Sequence, residues 1–137
     1  MNINIDFVNK LRNSGLRPTK QRLKICEVLF NTEKTFHFTV NDLSKIISEK
    51  LNQKISLATV YNTVHAFKKK GYLKEISMNS EKTYFDTNTS HHHHFFDSST
   101  KELIDLSDDQ VEKIKINKAL PGKKISSVEI LVKVENE

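Results

Sequence analysis

The residues with the clearest chemistry are four consecutive histidines, His91 to His94, in the stretch TSHHHHFF. Neutral imidazole is a ligand for iron, zinc, manganese and cobalt, and nearby carboxylates shift a site toward harder ions. Asp86 precedes the run and Asp105 follows it. In an extended segment alternate side chains share a face, so His92 and His94 point one way and His91 and His93 the other. A His-x-His pair on one face is a chelate. Polyhistidine loops also bind zinc adventitiously, and His37, in TFHFTVNDL, read alone is as good a half-buried histidine as a ligand.

The elements that must hold these residues follow from periodicity. DFVNKLRNSG carries Phe7, Val8 and Leu11 on one helical face and ends at Gly15, a residue suited to the position after a helix. RPTKQRLKICEVLF predicts a helix capped by Thr19, with Leu23, Cys26, Leu29 and Phe30 at helical spacing. FTVNDLSKIISEKL predicts another, capped by Thr39, with Leu43, Ile46 and Ile47 inside. SLATVYNTVHAFKKKG predicts the last of the series, capped by Ser56, stopped by Gly71, with Val60, Val64 and Phe67 turned in. YLKEIS and KTYFD read as two short strands around the turn MNSE. Helices followed by a hairpin make the pattern of a winged helix-turn-helix. On its last helix Thr59, Tyr61, Asn62, His65 and Lys69 turn outward, with lengths that reach base edges and phosphates. A solvated face is the plainer reading for an arbitrary helix; the following hairpin and the basic flank favour DNA here.

The formal net charge is +5, which suits a polyanionic partner. The surplus is concentrated at Lys10, Arg12, Arg17, Lys20, Arg22 and Lys24, then at Lys68, Lys69, Lys70 and Lys74. Lys20, Arg22 and Lys69 join the DNA-binding set through this charge. The seam DTNTSH divides the chain into expected domains 1–86 and 87–137. In the second, KELIDL reads as a strand and SDDQVEKIKINKAL as a helix capped by Ser107 and ended by Pro121 and Gly122. KISSVEILVKV alternates Val128, Ile130, Val132 and Val134 against Glu129, Leu131 and Lys133, a strand with one buried face. A unit this small has little core of its own, so pairing with a second copy is expected. The expected fold class is α+β, an N-terminal winged helix followed by a small C-terminal α/β dimerisation domain.

Other classes fit less well. The start of the chain has no apolar signal-type segment, and no apolar run approaches a membrane span. A cytoplasmic location and no membrane partner are expected. The single cysteine, Cys26, excludes an intramolecular disulfide and a cysteine-cluster zinc site within one chain. A metallohydrolase needs an open metal position beside a general base, and no such constellation stands out, so the chain does not read as an enzyme. A metal storage or chaperone protein without sequence-specific DNA binding is the alternative. It would use the histidine run but not the polar recognition face.

GLRPTKQR, SLATVYNTVHAFKKKGYLKEI, KTYFDTNTSHHHHFF and LIDL, in this order and spacing, resemble the Fur (ferric uptake regulator) family of metal-dependent transcription regulators over nearly the whole chain. GLRPT, SLATVYNT and YFDTN, followed by histidines and two aromatics without cysteine pairs, are most similar to its iron response regulator subgroup. The resemblance implies one divalent ion per subunit (Fe2+, Mn2+ or Zn2+) on His37, Asp86, His92, His94 and Asp105. It also implies a second metal or haem site on His91, His93 and Glu112, incomplete because Val128 stands where a late histidine is expected. Structural zinc on cysteine pairs is not expected, since DSST holds none. For DNA, the resemblance implies a minor-groove contact by Arg17 and recognition-helix contacts by Thr59, Tyr61 and Asn62.

The implied partner is a double-stranded, A·T-rich, pseudo-palindromic operator bound by a homodimer that controls iron homeostasis genes. Activation or repression stays open at this stage. Members of the subgroup are associated with haem, and with no cysteine–proline motif ahead of Asp6 the histidine run is the expected haem ligand. One ion held by ligands from both halves would crosslink them and fix the spacing of the winged helices.

Overall fold

A computed structural model of the chain describes residues 3–76, 78 and 82–137. The chain divides into two compact units, Met1–Thr89 and Ser90–Glu137. The first contains helices α1 (Ile3–Asn13), α2 (Lys20–Phe30), α3 (Val40–Leu51) and α4 (Leu57–Lys70). It also contains strands β1 (His37–Phe38), β2 (Lys74–Ile76) and β3 (Tyr84–Asp86).

Local chemistry sets the helix ends. Thr19 caps α2 by accepting from the Arg22 N–H at 3.2 Å. Thr39 and Asp42 form a reciprocal capping box at the start of α3, satisfying two otherwise orphan N–H groups at 3.0 and 3.1 Å. Ser56 caps α4, and Gly71 ends it at φ +94°, a left-handed turn that a side chain would strain. The inward faces of α1 to α4 supply Leu11, Ile25, Leu43, Ile47, Val60, Val64 and Phe67, each at most 1% exposed, to one apolar core.

β2 and β3 pair antiparallel as the expected hairpin, and β1 adds to the other side of β3. Of the turn MNSE, Asn79, Ser80 and Glu81 lie outside the described residues. β1 was not expected, because two residues are too few to show a period. The pairing continues beyond it: the Phe36 N–H donates to Thr87 Oγ1 at 3.0 Å.

The second unit is a sheet in the order β5-β4-β6, from β4 (His93–Asp97), β5 (Glu102–Leu106) and β6 (Leu131–Val134). β4 runs antiparallel to β5 and parallel to β6. One element differs from expectation. The helix over SDDQVEKIKINKAL is reduced to a single 3-10 turn, Asp108–Gln110, and residues 112–120 form no regular element. Half of a capping box forms at its start: the Ser107 N–H donates to Gln110 Oε1 at 3.0 Å, while the Ser107 hydroxyl caps no backbone N–H and the Gln110 N–H turns to the Ser107 carbonyl. Beyond it the apolar residues fall at Ile114 and Ile116 between lysines, which is a strand's period of two. β-Branched residues without a packed face do not sustain a helix. The last strand is likewise shorter than KISSVEILVKV suggested, starting at Leu131.

Candidate metal centre and nucleic-acid interface

The histidine run enters β4, and the strand's alternation sorts it into two ring pairs. The His92 and His94 rings lie 4.5 Å apart and the His91 and His93 rings 5.1 Å apart. Each pair meets one carboxylate oxygen. Asp105 is the register partner of His94 on β5, and its Oδ1 lies 3.4 Å from His92 Nε2 and 3.5 Å from His94 Nε2. Ligand atoms bonded at about 2.1 Å in a tetrahedral array stand about 3.4 Å apart, so this N,N,O set has the spacing of a chelate. His92 Nδ1 is 2.7 Å from the Ser90 carbonyl. A carbonyl only accepts, so Nδ1 carries the proton and Nε2 keeps the lone pair that metal binding needs.

The opposite pair is held differently. The Ile130 N–H donates to His93 Nδ1 at 3.0 Å. That nitrogen is therefore the acceptor, and Nε2–H of the neutral ring donates to Asp108 Oδ1 at 2.9 Å. His91 Nε2 lies 3.6 Å from the same oxygen. These residues line a surface cleft of about 580 Å3 together with Glu112 and Val128. Asp108, read from sequence as a helix N-terminal charge, is thus the carboxylate that meets His91 and His93. The repeat of Asp105 at a spacing of three was its only sequence signal. Glu112 lines the cleft, and the ligand atoms that lie within 4.8 Å of one another are those of His91, His93 and Asp108.

In the first unit, His37 and Asp86 are register partners across β1 and β3, with His37 Nε2 3.3 Å from Asp86 Oδ2. Asp86 is 1% exposed, and its Oδ1 accepts the Asn88 N–H at 2.8 Å. A carboxylate removed from water requires such partners. Cys26 offers no ligand: it is buried on α2, and desolvation pushes its thiol up to about 12 although Lys10 lowers it.

On α4 the expected face is laid out unevenly. Tyr61 is 51% exposed, and Asn62 and Lys69 are exposed. Thr59 is half-buried, its hydroxyl 2.8 Å from that of Ser56. His65 is half-buried, its ring 4.1 Å from that of Tyr61. Arg17 and Lys20 are exposed, whereas Arg22 turns a guanidinium N–H to the Arg17 carbonyl at 3.0 Å. Among the described residues no helix is long and apolar enough to cross a membrane.

The family model described as "Ferric uptake regulator family" matches residues 13–133. A peroxide-responsive repressor of Staphylococcus epidermidis is 30% identical over 109 residues, covering 80% of this chain and 71% of that one. A crystal structure of the Vibrio cholerae ferric uptake regulator superposes with a TM-score of 0.69 at 25% identity, covering 94% of this chain and 98% of that chain. The Pseudomonas aeruginosa ferric uptake regulator with manganese superposes with a TM-score of 0.68 at 21% identity, covering 96% and 98% of the two chains, a likeness of fold.

Proposed function

The chain belongs to the ferric uptake regulator family, and on that premise we propose that it is a dimeric, metal-responsive transcription regulator of iron homeostasis genes. One observation carries the reading. The strand β3 that follows the exposed face of α4 as its wing ends at Asp86, paired with His37. On this reading the wing of the winged helix carries two of the metal ligands, and their 3.3 Å contact supports it. The proposed regulatory site takes His37 and Asp86 from the first unit and His92, His94 and Asp105 from the second. The imidazole–carboxylate spacings of 3.3 Å in the first and 3.4 and 3.5 Å in the second support it.

An Fe2+, Mn2+ or Zn2+ ion held there would supply a positive charge that the two carboxylates offset and the three imidazoles coordinate. The ligands' own contribution is selection. Arrangements of the two units that present all five atoms bind the ion better, and the population shifts by that difference alone. A coupling of about 2 to 3 kcal/mol changes operator affinity by about thirty- to a hundred-and-fifty-fold. The ligands must be deprotonated, so acid pH opposes loading.

The DNA set is Arg17, Lys20, Arg22, Thr59, Tyr61, Asn62 and Lys69, acting on an A·T-rich, pseudo-palindromic duplex. Within it Arg22 supports the Arg17 backbone and Tyr61 and Asn62 read. The homodimer would form through the second unit, which leaves Ile104, Ile114, Ile116, Leu120 and Ile125 exposed in one copy. The resemblance to the iron response regulator subgroup rests on GLRPT, SLATVYNT and YFDTN followed by the histidine run, without cysteine pairs. It brings haem into the proposal, with exposed His91 as the entry ligand, since hydrogen bonds occupy both ring nitrogens of His93. The deciding experiment is an electrophoretic titration of selected DNA by chelated protein, then with Mn2+ restored. DNA affinity that does not depend on metal would overturn the reading.

A further inference from the structure

On α4, Tyr61 and His65 sit at i and i+4, the spacing at which helical side chains meet. Their rings stack at 4.1 Å and 33°. The His65 imidazole also meets the edge of the Phe85 ring at 5.6 Å and 78°. Phe85 is 1% exposed and stacks on Phe38 at 5.9 Å and 27°. Phe38 and Phe85 are register partners across β1 and β3, and the adjoining rung is His37 and Asp86. Alternate residues of a strand face opposite sides. The aromatic rung therefore belongs to the core of the first unit, and the rung that shares its backbone carries the His37–Asp86 pair.

We propose that His65 is a positioning residue: its ring holds the exposed Tyr61 side chain in one orientation for DNA and ties it, through Phe85, to the rung of His37 and Asp86. This rests on the reading of Tyr61 as a DNA contact and of His37 and Asp86 as metal ligands. Half of the Tyr61 surface is open to solvent, and an exposed side chain loses rotamer freedom when it binds. A ring already held on one face has less to lose. His65 is itself held from two sides by aromatic rings, so it does not reach outward as a base-reading side chain does. The face that sequence periodicity assigned to DNA thus contains a reader, Tyr61, and its support.

The test uses the full chain as wild type, His65→Ala, His65→Phe, Tyr61→Ala and the Tyr61→Ala/His65→Ala double variant. If His65→Ala does not fold, His65→Leu replaces it alone and in the double variant. The first readout needs no DNA: proton NMR of the tyrosine rings. The Tyr61 signals should be ring-shifted from their positions in the urea-unfolded chain in wild type and His65→Phe, and lose that shift in His65→Ala. The second is titration of Mn2+-loaded protein on a duplex enriched from random-sequence DNA by the wild type.

His65→Ala should weaken binding about fivefold, the scale of one aromatic pair. His65→Phe should restore it to within about twofold, and the double variant should bind no more weakly than Tyr61→Ala. The ratio of affinities with and without Mn2+ should shrink in His65→Ala. Losses that multiply in the double variant, or a His65→Phe protein as weak as His65→Ala, would overturn the proposal, the latter by making the imidazole itself the DNA contact. If the wild type enriches no sequence, the DNA reading falls, and unshifted Tyr61 signals would then overturn the His65–Tyr61 support on their own.

Discussion

Replacing Asp105 by asparagine separates the metal role of this residue from any structural one. Its Oδ1 is 3.4 and 3.5 Å from the Nε2 atoms of His92 and His94, and its side chain is 48% exposed. A full charge pair at that separation is worth about 1 kcal/mol in high dielectric, and half-exposed pairs measure less. With neutral imidazoles even that is reduced. Asparagine keeps the side-chain volume and one carbonyl oxygen. Unfolding stability without metal should therefore change by less than about 1 kcal/mol. Metal binding should change far more, because a charged ligand oxygen beside the two imidazole nitrogens becomes a neutral one. A loss of about a hundredfold in Mn2+ affinity, about 2.7 kcal/mol, is expected. Linkage then moves the Mn2+ midpoint of DNA binding by a similar factor. Isothermal titration against a competing chelator reads the affinity, and urea unfolding of the chelated protein reads the stability. Unchanged Mn2+ affinity would refute the reasoning. So would a fall in stability above about 2 kcal/mol with metal binding intact, the mark of a structural residue.

The remaining expectations use the same protein. Tyr61→Ala should lose about 1 to 3 kcal/mol of specific DNA affinity by electrophoretic titration while keeping its fold and metal content; normal binding would mean that the wrong face of α4 has been assigned. Alanine at His92 or His94 should abolish metal-dependent DNA binding, whereas alanine at His91 or His93 should leave it largely intact; equal losses at all four would sink the division into two pairs. Light scattering should find the dimer intact after strong chelation, because no cysteine pair supplies structural zinc; monomers would mean that metal holds the copies together. Cys26, with its thiol raised to about 12, should resist thiol reagents at neutral pH until the chain unfolds. For that group the stability linkage is flat below the ordinary thiol value near 9.0 and falls as pH rises toward 12, since only the unfolded chain then releases the proton.

What could be read from the sequence was mostly local. Thr19, Thr39 and Ser56 begin their helices because a side-chain oxygen reaches an N–H two or three residues on, and Gly71 ends one because only its backbone conformation is needed. The division of the histidine run was legible for the same reason, since alternation is a property of any extended backbone. Contacts that return from a distance were not. β1 exists only because β3 lies beside it, and Asp108 joins His91 and His93 only because the chain turns back after β5. The helix misread over residues 107–120 began with a capping signal that is only half realised, from the Ser107 N–H to Gln110 Oε1. It failed at Ile114 and Ile116, where two alternating apolar residues outweigh the favourable charges of Asp108 and Asp109.

The histidine run also shows why residue identity alone does not assign a ligand. His92 and His93 are neighbours of one type, both more than nine-tenths buried. What separates them is the backbone group at Nδ1. A carbonyl at His92 forces the proton onto Nδ1 and leaves the lone pair on Nε2. An N–H at His93 takes the lone pair of Nδ1 and leaves the proton on Nε2, where it binds Asp108. To coordinate through Nε2, His93 would have to give up the Ile130 hydrogen bond, a cost of about 0.5 to 1.5 kcal/mol plus the desolvation of a buried N–H. His92 makes no such sacrifice. The two faces of β4 thus divide the work. On the proposed reading one would offer nitrogen to an ion beside Asp105, whereas the other anchors the Ile130 N–H and Asp108.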